Sequence, residues 1–320
     1  MEGKQPLSRR QKLRRIASAI LAVALLGGGA YLGFSYVIAE RFTHAMRYPV
    51  GRAPMVAAST YEDVAFRTGD GLTLRGWYFP TRSDRAAIIV HGKDSNRIGG
   101  ENRMIEKMAD FLLADGYNVL LFDLRGNGDS DGDRFSLGYL ERRDVAAAIE
   151  HLTGRGFRED RIALLGISMG AGTVLQSLPL HSNVGAVIAD SSYVDAHTIV
   201  TEDLQLLAGV PSWFTPGVLL MSKLAFGLDG EQVRPIEVVR SHPERAFLFI
   251  HCAGDELIAP HHAYELRAAS ANPASDLWMA AVCQHSWAFN TYPTAYETRL
   301  HAFLESQIPA VLAQTPKSPT

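Results

Sequence analysis

Six short apolar, β-branched runs constrain this chain more than any other feature: 86–90, 118–122, 161–167, 184–189, 246–250 and 277–282. None alternates with polar residues, which suits strands buried on both faces. Helical patterns at 101–114, 137–153, 169–179, 261–271 and 292–307 lie between and after them. Strand and helix in alternation, joined by short connections, predict right-handed crossovers and a mostly parallel sheet flanked by helices. The expected fold class is therefore α/β. Ahead of this pattern, alternating runs at 61–67 and 72–79 flank Gly69-Asp70-Gly71 and read as an antiparallel hairpin. With 47% hydrophobic and 20% charged residues in 320, the chain can build one sizeable core, placed at about 60–310.

A second feature lies outside that core. Residues 16–38 carry no charge and, at about 1.5 Å per residue, would cross a hydrocarbon layer of about 30 Å. The stretch exceeds the apolar region of a cleaved signal peptide and no clear A-x-A site follows, so it reads as a retained transmembrane helix. Lys4, Arg9, Arg10, Lys12, Arg14 and Arg15 precede it, against Arg41, Arg47 and Arg52 after it. The positive-inside bias predicts a cytoplasmic basic tail at 1–15 and the main domain on the far side. A connector is expected at 39–59 and a flexible tail at 311–320.

The formal net charge of −3 offers no basic surface for a polyanion, so no nucleic-acid partner is expected. The two cysteines, Cys252 and Cys283, permit at most one disulfide; their ordinary reading is buried free thiols. One connection, 193–244, is too long for a simple crossover and reads as a lid-like insertion. Trp213 and Phe214 within it are expected to face substrate.

Gly166-Ile167-Ser168-Met169-Gly170 follows a buried strand and opens a helix. That is the setting in which a serine sits on a sharp turn whose glycines allow strand and helix to approach. A serine hydroxyl needs a base and an acid to orient that base. After later strands, in the order such folds require, stand Asp255 and His285, both at C-terminal strand ends where open α/β sheets gather catalytic groups. Asp190 is a reserve acid; Glu256 would point elsewhere from the same loop. His251 is placed at a strand end, His261 and His262 at a helix start, and His301 on the last helix. The oxyanion of an acyl-transfer intermediate calls for two N–H donors, assigned to the backbone of Met169 and of Lys93.

His91-Gly92, Arg125-Gly126-Asn127-Gly128-Asp129-Ser130, the GISMG elbow, Asp255 and His285 together resemble the α/β-hydrolase superfamily. With the N-terminal helix, the chain is similar to bacterial membrane-anchored serine esterases and to peptidase-like or dienelactone-hydrolase-like members. The resemblance implies hydrolysis of carboxylic esters, or of thioesters, through an acyl-enzyme and without a cofactor. Amide or peptide cleavage would use the same triad, and a non-catalytic membrane binding module is the reading from another class. Two departures are Cys252, where the family pattern usually has glycine, and Lys93-Asp94 after His-Gly, which makes the mouth of the site more polar. Asn127 to Asp133 mimics the front of a calcium loop, but its twelfth position is Gly138 rather than glutamate, so no metal is expected. The expected ligand is an acyl ester, small or lipid-like.

Overall fold

The structure, a computed structural model, describes residues 8–58 and 60–310; the basic tail up to residue 7 and the tail at 311–320 lie outside it. The strands are β1 (Glu62–Arg67), β2 (Thr73–Phe79), β3 (Ala86–Val90), β4 (Asn118–Phe122), β5 (Ile162–Ile167), β6 (Ala186–Asp190), β7 (Leu248–Cys252) and β8 (Asp276–Ala280). The helices are α1 (Arg9–Thr43), α2 (Met104–Ala114), α3 (Arg142–Gly154), α4 (Met169–Ser177), α5 (Ala196–Ala208), α6 (Thr215–Phe226), α7 (Pro235–Ser241), α8 (His261–Ala269), α9 (Ala288–Thr291) and α10 (Pro293–Gln307).

All eight strands form one sheet in the order β1-β2-β4-β3-β5-β6-β7-β8. β1 and β2 pair antiparallel, as does β2 with β4, and every later pair is parallel. The central strands β3 to β7 are buried along their whole length, which is why their sequences do not alternate. Residues of α3, α4, α7 and α8 bury one face of the sheet, and those of α2, α9 and α10 the other.

Two expectations need correction here. Cys252 and Cys283 are not free thiols but form a disulfide, because β7 and β8 pair with Cys252 opposite Ala280 and bring Cys283 across from it. The sequence spacing of 31 residues held no hint of that proximity. Second, the N-terminal helix does not stop at Ile38: α1 continues to Thr43, into the expected connector. Ser35, Ile38, Ala39 and Thr43 are buried, and Ile38 and Ala39 pack with Val200, Leu204 and Val218 of the insertion. Arg134 holds this end by bonding Glu40 and Thr43. Apolar contact on one face and an ion pair at the last turn thus carry the helix past the uncharged segment.

Candidate active site

β3 and β5 are neighbours in register, Val90 opposite Gly166, so the turns that follow them emerge side by side. A side chain at Gly170 would strike the carbonyl oxygens of Val90 and His91, and one at Gly166 would strike the Gly170 backbone. The glycines are therefore required by the closeness of α4 to the sheet. Ser168 sits between strand and helix at φ 55° and ψ −122°, a conformation that costs a non-glycine residue about 1–3 kcal/mol. Its N–H is held by the Asp190 carbonyl at 2.8 Å.

The Ser168 hydroxyl lies 2.8 Å from His285 Nε2, and His285 Nδ1 lies 2.7 Å from Asp255 Oδ2. An ionised carboxylate can only accept, so Nδ1–H donates to Asp255 and leaves the Nε2 lone pair facing the serine hydroxyl. Asp255 is fixed in turn: Oδ1 accepts from the N–H groups of Leu257 at 3.0 Å and Ile258 at 2.8 Å. The loop carrying His285 is steadied by Ser286, at φ 58°, whose N–H donates to Ser191 Oγ at 3.3 Å. The structure thus brings together three side chains that the sequence separates by 87 and 30 positions (168 to 255, 255 to 285).

The turn after β3 completes the arrangement. A Cβ on Gly92 would lie 3.1 Å from Ser168 Cβ, so the His91-Gly92-Lys93 backbone runs against the serine. Met169 opens α4, and its N–H is among those that no intrahelical carbonyl can accept. His91 pins this turn: its Nε2 accepts from Leu124 N–H at 3.0 Å and its Nδ1 lies 2.7 Å from the Gly92 carbonyl. Burial pushes the His91 imidazole down to about 4, keeping it neutral. The Lys93 ammonium turns aside, 3.3 Å from Asp94 and 4.8 Å from the centre of the Phe135 ring.

Asp190, the reserve acid, does not reach His285. It is fully buried, bonded to the Ser191 and Tyr296 hydroxyls, and burial pushes its carboxyl up to about 6. Trp213 and Phe214 also require correction. Their rings stack 3.8 Å apart and lie 5.6 and 5.2 Å from Tyr31 on α1, and neither lines the Ser168 cleft. Aromatic stacking on α1, with Tyr31 hydroxyl donating to the Trp213 carbonyl at 3.0 Å, takes them away from the site.

The Ser168 cleft measures about 320 Å³ and includes Lys93, Met104, Ile105, Leu257 and His285. Lys93 also borders a narrower, mostly apolar cavity of about 60 Å³, walled by Phe42, Phe135, Leu137, Val200, Val218 and Leu219. Asp203 on α5 lines this cavity, and burial pushes its carboxyl up to about 6, with Lys93 and His285 pulling the other way. Sequence reasoning missed Asp203 because only the tertiary fold turns α5 toward the elbow. His251, placed at a strand end by the sequence, lies near the end of β7, where its Nε2 is 2.8 Å from the Ile258 carbonyl and 3.4 Å from Asp255.

Among the described residues, Glu202, His261 and His262 form the one group able to converge on a metal ion. Val194 N–H donates to His262 Nδ1 at 3.2 Å, which leaves the proton on Nε2, the atom that points at Glu202. The donor set fits a carboxylate–imidazole clamp between α5 and α8 better than a metal centre. In the calcium-like loop, Arg47 donates to the carbonyls of Gly128, Ser130 and Gly132, and the Asp129 and Asp131 carboxylates accept from Arg97 and from Thr73 N–H.

The chain is similar to known proteins in sequence and fold. The esterase Pf2001 of Pyrococcus furiosus superposes with a TM-score of 0.70 at 25% identity, covering 83% of this chain and 98% of that one. YqkD of Bacillus subtilis is 27% identical over 240 residues, 74% of this chain and 76% of its own. The polyketide transferase grgF of a Penicillium species is 33% identical over 181 residues, 53% of this chain and 54% of its own. The family described as serine aminopeptidase, S33, matches residues 82–245, just over half of the chain, from the lead-in to β3 through the whole insertion. On that match, and on an eight-stranded α/β-hydrolase sheet, the chain belongs to the serine aminopeptidase S33 family of α/β hydrolases.

Proposed function

We propose that this protein is a membrane-anchored serine esterase. The carrying observation is the relay at the elbow: Ser168 hydroxyl 2.8 Å from His285, and His285 2.7 Å from a buried Asp255. In this reading His285 removes the hydroxyl proton as Ser168 attacks an ester carbonyl, and Asp255 holds the imidazole in the tautomer that can accept it. The Met169 and Lys93 N–H groups bind the oxyanion, an interaction whose loss typically costs 10²–10³ in rate, about 3–4 kcal/mol. His285 then protonates the leaving alcohol, and water, deprotonated by the same imidazole, releases the acid. Thioesters fall within the same chemistry.

The esterase named among the similar structures supports ester over amide. The apolar cavity beside Lys93 supports an ester with an apolar part. Amide or peptide cleavage is the second reading, favoured by the family's description. The uncharged run at 16–38, within a helix long and apolar enough to span a bilayer, supports the anchor. The basic residues before it support a cytoplasmic N-terminus, and a disulfide in the main domain suits an oxidising compartment on the other side.

Labelling of detergent-solubilised protein by a fluorophosphonate tests the mechanism. Wild type should be labelled covalently and Ser168→Ala should not. A folded wild type that stays unlabelled would end the hydrolase reading in favour of a binding module. Turnover of a p-nitrophenyl ester beside the matching p-nitroanilide separates esterase from amidase.

A further inference from the structure

Between Leu204 and Ser222 the insertion contains no Asp, Glu, Lys or Arg. Its apex is not folded back onto the sheet. α6 runs in the same direction as the end of α1, with Trp213 and Gly217 against Tyr31 and Phe226 5.5 Å from Tyr36. Beside the exposed Gln205 and Ser212, large apolar side chains along this stretch are uncovered: Leu206, Trp213, Leu220 and, just beyond, Leu224, which is 70% exposed. They continue the exposed apolar surface of α1, where Phe34, Tyr36 and Val37 are likewise uncovered.

Depth follows from α1. If Ile38 marks the boundary of the hydrocarbon layer, Tyr31 lies seven residues, about 10 Å, inside it. Trp213, stacked on Tyr31, then lies at that depth as well. α1 first becomes charged at Glu40 and Arg41, and α6 at Lys223, one turn before the Phe226 that lies beside Tyr36; Lys223 pairs with Asp229 at 3.0 Å. Tyr31 satisfies polar groups at the buried end by donating to the Trp213 carbonyl and accepting from Gly217 N–H, both at 3.0 Å. That is what backbone groups in a lipid environment require.

We propose that the tip of the insertion, the end of α5 through α6, is immersed in the lipid leaflet adjoining the main domain, as a second membrane element clamped to α1. It rests on the reading of α1 as a membrane helix. A soluble chain would leave this contiguous apolar surface in water, whereas in a bilayer it is solvated by acyl chains. The cavity walled by Phe42, Val218 and Leu219 then opens at the membrane surface. An amphiphilic ester held in the leaflet is the substrate class that geometry favours.

Tryptophan quenching in full-length protein reconstituted into phosphatidylcholine vesicles tests this. Vesicles carrying brominated acyl chains should quench part of the wild-type emission, and Trp213→Phe should lose that lipid-quenched part while keeping the emission of Trp77, Trp278 and Trp287. Equal lipid quenching of wild type and variant, or a Trp213 signal quenched by aqueous acrylamide as strongly as free tryptophan, would overturn the proposal. Flotation with the vesicles after alkaline carbonate extraction separates the two readings. Protein that floats without Trp213 quenching refutes the immersed tip alone, and protein that fails to float refutes the anchor and the tip together.

Discussion

Replacing both Cys252 and Cys283 with alanine should remove more stability than any other two-atom change in the main domain. The bond closes a loop with a sequence separation of 31. In the chain-entropy account, freeing a loop of that length returns about 3.7 kcal/mol of disorder to the unfolded chain at 25 °C. For a domain of this size that corresponds to a fall in Tm of roughly 10 °C. The effect should also reach the site. Cys252 stands three residues before Asp255, and Cys283 two before His285, so the bond ties together the loops that carry acid and base. Asp255 keeps its two N–H donors without the bond, but the His285 loop is left with the Ser286 contact to Ser191, the contact of Val282 with the Tyr292 hydroxyl and the histidine's own bonds. Urea unfolding gives the stability, and ester turnover gives the positioning, which should appear as a lower kcat with little change in KM. Wild type treated with a phosphine reductant should match the variant in both. A loss below about 1 kcal/mol in a protein whose thiols are confirmed as oxidised would refute the argument from loop closure.

Ser168→Gly should abolish fluorophosphonate labelling yet raise stability by about 1 kcal/mol over Ser168→Ala. Glycine relieves the positive φ, at about 1–3 kcal/mol, and gives back about 0.5–1 kcal/mol in chain entropy. Denaturation midpoints of the two variants decide it, and a glycine variant no more stable than alanine would show that the elbow is unstrained. His91→Asn should destabilise the domain in a pH-dependent way. The folded imidazole is held down to about 4 from an ordinary 6.5 by burial, so the unfolded chain binds the proton first. The contribution of neutral His91 is therefore complete above about pH 6.5 and is lost as pH falls through about 4. Unfolding free energies of wild type and variant should converge over that window, and a constant difference would count against the buried neutral histidine.

What the sequence made legible is what short-range chemistry specifies. β3 and β4 run over the residues that their apolar composition marks, since strand and burial coincide there. β6 and β7 start about two residues later than their apolar runs: Val184 and Phe247 are buried before the ladder begins, and Gly185 N–H bonds the Ile162 carbonyl instead. α3 begins at Arg142 rather than at 137 because Leu137 and Gly138 adopt φ 52° and 92°, left-handed values held by the Glu141 carboxylate. Elbow, acid and base were legible because each follows a strand of a sheet whose order forces them to one edge. The disulfide and the stacking of Trp213 on Tyr31 were not. Each joins residues far apart in sequence whose side chains carry no marker of a partner.

The same contrast redraws the boundary of the main domain. Read along the chain, it starts near residue 60, after a connector; in space it starts where α1 first meets the insertion, at Tyr31. Ile38 and Ala39 are buried against Val200, Leu204 and Val218, and Phe42 and Thr43 wall the cavity beside Lys93. Cutting the chain within 39–43 would uncover that cluster and open the cavity on one side, at about 25 cal/mol for each Å² of apolar surface exposed. α1 is thus not a separate element beside an independent domain. Phe42 and Thr43 at its C-terminal end are part of the wall of the cavity that shares Lys93 with the Ser168 cleft, so the position of α1 and the shape of the space beside the site are coupled by construction.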